Sequence, residues 1–213
     1  RTVGVQSVQR LTRSAGTRWQ RREPLLVSTT VQATVWANPD GDLAVTAVIG
    51  AQMPPSKNMN VSRLDTIDAI LSVPEPRILV MQDIDYPNVI GSFWGEVQAN
   101  IYKAMGCVGT ITDGGVRDLD EMRALGFNAF ASEILVSHAY VHLIDVGVPV
   151  TVGGMKVNQG DLLLGDQHGV VGIPLDIAAD IPAAVKRVET REQEMISVCQ
   201  SPDFTVDKLR DQI

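Results

Sequence analysis

The chain has 213 residues, with 18 basic and 25 acidic side chains and a net charge of −7. This length is typical of one globular domain with a sizeable core. The acidic balance disfavours nucleic acid as a partner, because such binding draws its free energy from Lys and Arg side chains that release counterions. Every apolar run is shorter than the roughly 18 residues that cross a bilayer, so the sequence predicts no membrane span.

The two cysteines, Cys107 and Cys199, lie far apart in the sequence. Two are too few for a disulfide framework, and this usage fits a reducing compartment. We therefore predict a cytoplasmic protein in which both thiols are buried or incidental.

The first 23 residues are basic, with six arginines before the first acid, Glu23. They show little apolar periodicity, which is typical of a flexible segment. An Arg-rich, acid-poor start also fits a transit peptide, but the apolar core and cleavage site of a secretory signal are absent. We predict a flexible basic N-terminal segment over 1–23 and a single domain over 24–213.

The domain begins with two runs of alternating β-branched residues, 25–37 and 43–49, around an NPDG turn, and this pattern predicts a β-hairpin. Downstream, helical spacing at 63–71, 94–105 and 119–125 alternates with short apolar strands at 77–81, 108–111 and 129–131. A strand-rich stretch over 134–173, a helix over about 177–198 and a polar tail after Pro202 complete the chain. Such an order predicts an α/β fold with layers around one core.

The segment 112–118 (TDGGVRD) joins a predicted strand to the next helix. Ligands of α/β folds gather at such junctions, where free N–H groups and the helix field favour anions. Gly114 and Gly115 let backbone approach a small ligand closely. Arg117 offers a cationic fork for a carboxylate, and Asp118 offers a hard oxygen for a divalent cation. Together these residues suggest a metal-chelated carboxylate substrate.

A structural interpretation of the same residues stays open. Asp118 and Glu121 have the spacing of a helix N-cap and its capping-box partner, and Arg117 could pair with a surface acid. Spacing alone favours this interpretation, because isolated Gly-Gly and Arg-Asp pairs are common. The two interpretations can coexist.

Gly95 and Glu96 begin the preceding helix, again just after a strand and loop. The Glu96 carboxylate could hold metal-bound water, although complementing the helix dipole is the commoner reason for an acid at that position. The N–H groups of Val97 and Gln98 fall in the first helical turn, where they have no intrahelical acceptor. They could therefore receive a substrate carboxylate.

The three histidines are candidate metal ligands or bases. His138 and His142 have zinc-like i, i+4 spacing, but a strand-like stretch would separate them by roughly 13 Å, too far to share one ion. His168 lies in a Gly-bounded turn and is expected at the surface. We interpret His138 and His142 as structural.

Gly95-Glu96, twenty intervening residues, Arg117-Asp118 and then Glu121 form a pattern that resembles the RraA-like family. Supporting stretches are GDLAVT at 41–46, GGMKVNQGD at 153–161 and GDQHGVV at 165–171. The resemblance runs from about Gly41 to the C-terminal helix. It implies a swivelling β/β/α domain, assembled as a homotrimer or a dimer of trimers with sites near subunit boundaries.

The enzymatic branch of that family implies a class II pyruvate aldolase acting on 4-hydroxy-4-methyl-2-oxoglutarate or a related 2-oxo acid, often with oxaloacetate decarboxylase activity. By this resemblance, Asp118 binds Mg²⁺ or Mn²⁺, with Glu96 and Glu121 in the metal set and Glu96 orienting metal-bound water. Arg117 contacts the oxo acid, and the amides of Val97 and Gln98 hold its carboxylate. A neighbouring subunit's C-terminal region contributes an acid, for which the candidates are Glu192 and Glu194.

Two departures from the family pattern stand out. The aldolases carry Asp where this chain has Glu96, and residues 1–40 do not align with the family's N-terminal helix. The alternative function is a non-catalytic regulator that binds a ribonuclease or another protein. Because those regulators lack the acid after the Arg, Asp118 favours the metal-dependent lyase, with a metal-shell water as the base.

Overall fold

The computed structural model describes residues 44–51, 61–166 and 168–213. The chain divides into two compact units, the first ending at Pro174 and the second formed by Leu175–Ile213. The predicted basic segment over 1–23 and the first strand of the predicted hairpin lie outside the described residues. The prediction of one domain over 24–213 stays a prediction.

Helices occur in both units. Those of the first unit are α1 (Arg63–Leu71), α2 (Glu96–Ala104) and α3 (Leu119–Leu125), and those of the second unit are α4 (Leu175–Ala178), α5 (Ile181–Gln200) and α6 (Val206–Arg210).

The strands all lie in the first unit. In chain order they are β1 (Ala44–Gly50), β2 (Arg77–Asp83), β3 (Ser92–Trp94), β4 (Cys107–Thr112), β5 (Gly115–Val116), β6 (Asn128–Phe130), β7 (Glu133–Ile134), β8 (His142–Val146), β9 (Val150–Val152), β10 (Met155–Val157), β11 (Leu162–Asp166) and β12 (Gly169–Ile173).

A five-stranded sheet in the order β6-β4-β2-β1-β8 forms the centre of the first unit. Its four strands β1, β2, β4 and β6 pair in parallel, and β8 pairs antiparallel with β1. A three-stranded parallel sheet has the order β3-β5-β7. Two antiparallel hairpins, β9–β10 and β11–β12, complete the strand pairing.

Different layers cover the two faces of the central sheet. Successive side chains of a strand point to opposite faces, so Val45 and Ala47 join one core while Ala44 joins the other. The first core contains helix residues, namely Ile70, Ala99, Tyr102 and Met122. The second contains hairpin residues, namely Val150, Val152, Val157, Leu163 and Val170. The layers are therefore hairpins, sheet and helices, which confirms the predicted α/β class and its β/β/α arrangement.

The predicted helices α1 and α3 have the predicted bounds, and local signals explain them. Ser62 and Asp65 form a reciprocal capping box at the start of α1. Gly126 ends α3 with φ of 70°, a conformation that glycine adopts without a Cβ penalty. Trp94 has helical spacing in the sequence but ends β3, where its carbonyl accepts a hydrogen bond from the Arg117 N–H of the neighbouring segment. α2 begins at Glu96 with Gly95 as its N-cap, as predicted for that pair.

The C-terminal helix predicted over about 177–198 is wrong in its bounds, since two helices, α4 and α5, replace it. Pro182 falls in the first turn of α5. Proline lacks an N–H and clashes with the carbonyl four residues before it, so a helix restarts there more readily than it continues. The predicted polar tail also contains α6, which begins at a Thr205 side-chain cap.

Among the described residues, no helix combines the length and the apolar character that a membrane crossing requires.

Candidate active site

Two strand-to-helix junctions meet at the carboxyl end of the three-stranded sheet. β3 leads through Gly95 into α2, and β5 leads through Arg117 and Asp118 into α3. Because β3 and β5 pair in parallel, with Trp94 opposite Val116, both junctions leave the sheet at the same end. We call them the α2 junction (95–98) and the α3 junction (117–118).

Asp118 links the two junctions through one carboxylate oxygen. Its Oδ2 accepts a hydrogen bond of 2.9 Å from the backbone N–H of Glu96 and one of 2.7 Å from Nη1 of Arg117. The Arg117 and Asp118 side chains are 27% and 29% exposed, so the pair is partly shielded from water. The structure therefore brings together Glu96, Arg117 and Asp118, three of the predicted site residues.

The capping-box interpretation of Asp118 is wrong. Asp118 occupies the N-cap position of α3, but its side chain makes no capping hydrogen bond to that helix. It turns instead to the first N–H of α2. Glu121, its proposed capping partner, lies exposed in the first turn of α3.

The backbone of Asp118 is also unusual, with φ of 55° and ψ of 48° in the left-handed region. A non-glycine residue there costs of order 1–3 kcal/mol and persists only where its surroundings hold it. The contacts of Asp118 with Glu96 and Arg117 supply that restraint. Such conformations concentrate at functional sites, where they aim a side chain in a direction that regular structure does not allow.

Gly95 is required by space rather than by its backbone angles, since its φ of −167° is ordinary extended backbone. A Cβ at this position would lie 2.5 Å from Oδ2 of Asp118 and 2.9 Å from Cζ of Arg117. The absence of a side chain at Gly95 thus lets the Arg117–Asp118 pair lie directly against the α2 junction.

The start of α2 offers free backbone donors beside this pair. Glu96 donates to Asp118, and Ala99 donates to the carbonyl of Gly95. Within the described part of the chain, the N–H groups of Val97 and Gln98 have no protein acceptor at hydrogen-bond distance. Free N–H groups at a helix N-terminus favour an anion, and the binding of a substrate carboxylate by these two residues stays a prediction.

Asp118 is the residue that fits a divalent cation. Both protein donors reach its Oδ2, and no described donor reaches Oδ1, so one hard oxygen is held in place and left open. The described residues contain no group of three or more His, Cys, Asp or Glu side chains placed to hold one ion. The metal roles of Glu96 and Glu121 stay predictions. Mg²⁺ commonly takes one or two carboxylates and completes its shell with water and substrate. Oδ1 of Asp118 is therefore a chemically suitable ligand for a Mg²⁺-type ion.

Gly114 and Gly115 are buried by protein atoms. A Cβ at Gly114 would lie 2.7 Å from Oδ2 of Asp83, and one at Gly115 would lie 2.5 Å from Cδ1 of Leu135. Close packing against protein thus gives both glycines a structural reason, whereas the sequence pointed to ligand approach.

Behind these glycines lies a cluster of buried aspartates that the sequence analysis missed. Asp83, Asp85 and Asp113 are 3%, 7% and 7% exposed. The N–H of Asp83 donates to Asp113, and the N–H of Asp85 donates to Asp83. The pKa of Asp83 is raised to about 6, mainly by burial. The hydrogen bond from the Asp85 N–H lowers it, and the nearby Asp85 charge raises it by a smaller amount. The sequence does contain a signal for this cluster, since Asp83 ends β2 and Asp113 directly follows β4.

The raised pKa of Asp83 predicts that its contribution to stability falls as pH rises. Its ordinary pKa is 3.8 and its folded pKa is about 6, so the folded state keeps a proton that the unfolded chain releases between these values. The contribution is fully present below pH 4 and lost above pH 6, with a change of about 2–3 kcal/mol in the free energy of unfolding.

Urea unfolding of wild type and Asp83→Asn at pH 4, 5, 6 and 7 measures this contribution as a difference. The asparagine keeps an oxygen for the Asp85 N–H but carries no titrating proton. We expect the variant to gain stability relative to wild type as pH rises from 4 to 6. A constant difference across this range would contradict the raised pKa.

The hydrogen bonds of the three histidines, within the described part of the chain, go to residues outside the two junctions. His138 precedes β8 and His142 begins it, and their Nδ1 atoms lie 2.6 Å and 2.9 Å from the carbonyl oxygens of Ala139 and Tyr140. Nδ1 of His168 lies 3.0 Å from Oδ2 of Asp166. Glu192 and Glu194 are exposed on α5 of the second unit, and their role towards a neighbouring subunit stays a prediction.

A match to a family model identifies the family of this chain. Residues 29–171 match the model of the RraA-like family, described as Aldolase/RraA. This match spans more than half of the chain, and the chain therefore belongs to the RraA-like family.

Individual proteins also resemble this chain in sequence. A Halalkalibacterium halodurans protein, provisionally named 4-hydroxy-4-methyl-2-oxoglutarate aldolase, is 31% identical over 81 residues, covering 38% of this chain and 39% of that protein. The chain covers less than two thirds of the length of the curated relatives that it matches first.

An uncharacterized Pseudomonas syringae protein has a similar structure, with a TM-score of 0.61, 24% identity and coverage of 81% of this chain and 75% of that one. Streptomyces coelicolor RraAS2, titled an unusual member of the RNase ES inhibitor RraA family, has a TM-score of 0.55, 22% identity and coverage of 74% and 75%. The two structures share the fold.

Proposed function

We propose that this chain is a divalent-metal-dependent lyase that cleaves 2-oxo acids of the 4-hydroxy-4-methyl-2-oxoglutarate type to release pyruvate, with Mg²⁺ or Mn²⁺ as cofactor. One observation carries the proposal: Asp118 is held through Oδ2 by Arg117 and the Glu96 N–H, while its Oδ1 stays open beside two free amides. A cation ligand and anion donors thus lie side by side.

The chain's own groups divide the work of binding a 2-oxo acid. The N–H groups of Val97 and Gln98 would bind the substrate carboxylate, because they are unpaired and lie at the positive end of the α2 dipole. Oδ1 of Asp118 would hold the cation. When bound there, the cation would supply Lewis-acid polarisation of the 2-oxo group.

Arg117 would stabilise the negative charge that develops as the carbon–carbon bond breaks. Its guanidinium is already oriented by Asp118, and its Nε is buried without a hydrogen-bond partner. A preoriented donor of this kind needs little reorganisation during the reaction, and this makes it more effective than a mobile one. Oxaloacetate decarboxylation requires the same charge stabilisation without removal of a hydroxyl proton.

Pyruvate release from 4-hydroxy-4-methyl-2-oxoglutarate and from oxaloacetate tests the proposal. The protein is freed of metal with EDTA and then assayed with Mg²⁺, with Mn²⁺ and with no addition. We expect turnover to vanish with EDTA and to return with either cation, because Asp118 would hold the ion mainly through one oxygen, with water and substrate completing its shell. The matched control contains the cation and substrate without protein, since free cations decarboxylate oxaloacetate slowly.

Rates equal to this control on both substrates would refute the lyase activity. A ribonuclease or another protein would then be sought as a binding partner, in line with the regulator alternative.

The family resemblance also supports a homotrimer or a dimer of trimers. Light scattering on the eluted peak of a sizing column measures the molar mass. A monomer of 23.0 kDa at assay concentration would contradict this part of the proposal.

A further inference from the structure

The strand pair that carries both junctions is short and irregular. β3 has three residues and β5 has two. Ser92 lies opposite Gly115 and Trp94 opposite Val116, with a shift in register between them. Phe93 is therefore an extra residue of the bulge type, which re-aims the chain that follows it. Because only two residue pairs join β3 to β5, backbone pairing alone gives these strands little rigidity.

The Ser92 hydroxyl lies in this irregular stretch. Ser92 is fully buried, with 0% exposure. Its Oγ donates to the carbonyl oxygen of Trp94 at 2.6 Å and to that of Gly115 at 3.0 Å, so one proton is shared between the two strands. In the described part of the chain, no other side chain forms a hydrogen bond between β3 and β5 themselves.

The two acceptors connect directly to the site. The Trp94 carbonyl also accepts the N–H of Arg117 at 3.0 Å, and Trp94 is followed by Gly95. Gly115 lies two residues before Arg117 on the same segment. The hydroxyl thus holds each segment close to its site group. Trp94 is two residues before Glu96, and Gly115 is three residues before Asp118.

We propose that Ser92 is a positioning residue that sets the distance between the α2 junction and the α3 junction. It acts through the Trp94 and Gly115 carbonyls and touches neither substrate nor cation. Without its proton, the Gly115 carbonyl loses a buried donor, and the bulge can relax towards a different register. Asp118 and the Glu96 N–H then separate or misalign, because each is fixed to a different strand.

The first test does not depend on catalytic activity. In ¹H–¹⁵N spectra, the Glu96 amide reports its hydrogen bond to Asp118, and its exchange with deuterium reports how long that bond persists. We expect Ser92→Ala to shift the Glu96 signal and speed its exchange. The matched control is Thr110→Val, which removes a buried hydroxyl that donates to the Leu79 carbonyl at 3.0 Å between β4 and β2. It should leave Glu96 unchanged.

The second test rests on the proposed function. Ser92→Ala should lower kcat for 2-oxo acid cleavage by about 10- to 100-fold, because small misplacements of catalytic groups carry losses of that size. KM should change little, since the Val97 and Gln98 amides stay together on α2. Thr110→Val should keep wild-type kcat. If wild type has no turnover, the proposed function fails, and the Glu96 signal still decides the role of Ser92.

Ser92→Cys provides a variant of nearly unchanged shape with a weaker donor, and it replaces Ser92→Ala if the latter does not fold. Its Glu96 amide should exchange faster than in wild type and, where Ser92→Ala folds, more slowly than in that variant. A folded Ser92 variant with wild-type Glu96 shift and exchange would overturn the proposal, as would an equal shift in Thr110→Val.

Discussion

Asp118→Asn is expected to lower kcat/KM for 2-oxo acid cleavage by about 100- to 1,000-fold, the range seen when a preorganised electrostatic group is lost. Asparagine is preferred to alanine here because it tolerates the left-handed backbone of this position. The substitution keeps a side-chain oxygen for the Glu96 N–H but removes the charge that orients Arg117 and that, in the proposed function, would hold the cation. Steady-state pyruvate release at several Mg²⁺ concentrations measures both the rate and the apparent metal affinity.

Asp120→Asn is the matched control for this variant. Asp120 lies two residues further on, is 91% exposed and pairs with Arg123 on the surface of α3. It should retain wild-type kinetics. Near wild-type kcat/KM in Asp118→Asn would show that the Asp118 charge has no part in the reaction.

Gly95→Ala is expected to lower kcat by about 100-fold, since an ångström-scale displacement of catalytic groups has an effect of this order. The added Cβ would overlap Oδ2 of Asp118 and Cζ of Arg117, so the pair must move away from α2. The backbone accepts alanine at this φ, so the protein should still fold. Circular dichroism with thermal melting confirms folding before kcat is measured.

Gly172→Ala controls for the general effect of adding a methyl group to a glycine. A Cβ at Gly172 would meet its nearest atom, Cδ2 of Leu163, at 3.9 Å, which is ordinary contact. Its kinetics should match those of wild type. Unchanged kcat in Gly95→Ala would mean that the Arg117–Asp118 pair can shift without loss of activity.

Local patterns account for much of what the sequence predicted correctly. The bounds of α1 and α3 follow from apolar spacing, a capping box and a terminal glycine, all of which act over a few residues. The α/β class follows from strand and helix order, whereas the β/β/α layering and the family were implied by the resemblance that the spaced motifs carry. Trp94 and Pro182 mark where local periodicity was overruled, the first by strand pairing and the second by proline geometry.

The sequence by itself determined the fold class, the family and the membership of Glu96, Arg117 and Asp118 in one candidate site. Tertiary structure alone decided what Asp118 does, because its carboxylate pairs with the N–H of Glu96, a residue twenty-two positions away in the chain. The capping-box spacing with Glu121 could not reveal this, since spacing along a helix describes only contacts within that helix. The hydrogen bonds of Ser92 and the burial of Asp83 could likewise not be predicted, because burial and hydrogen bonds between strands exist only once the chain has folded.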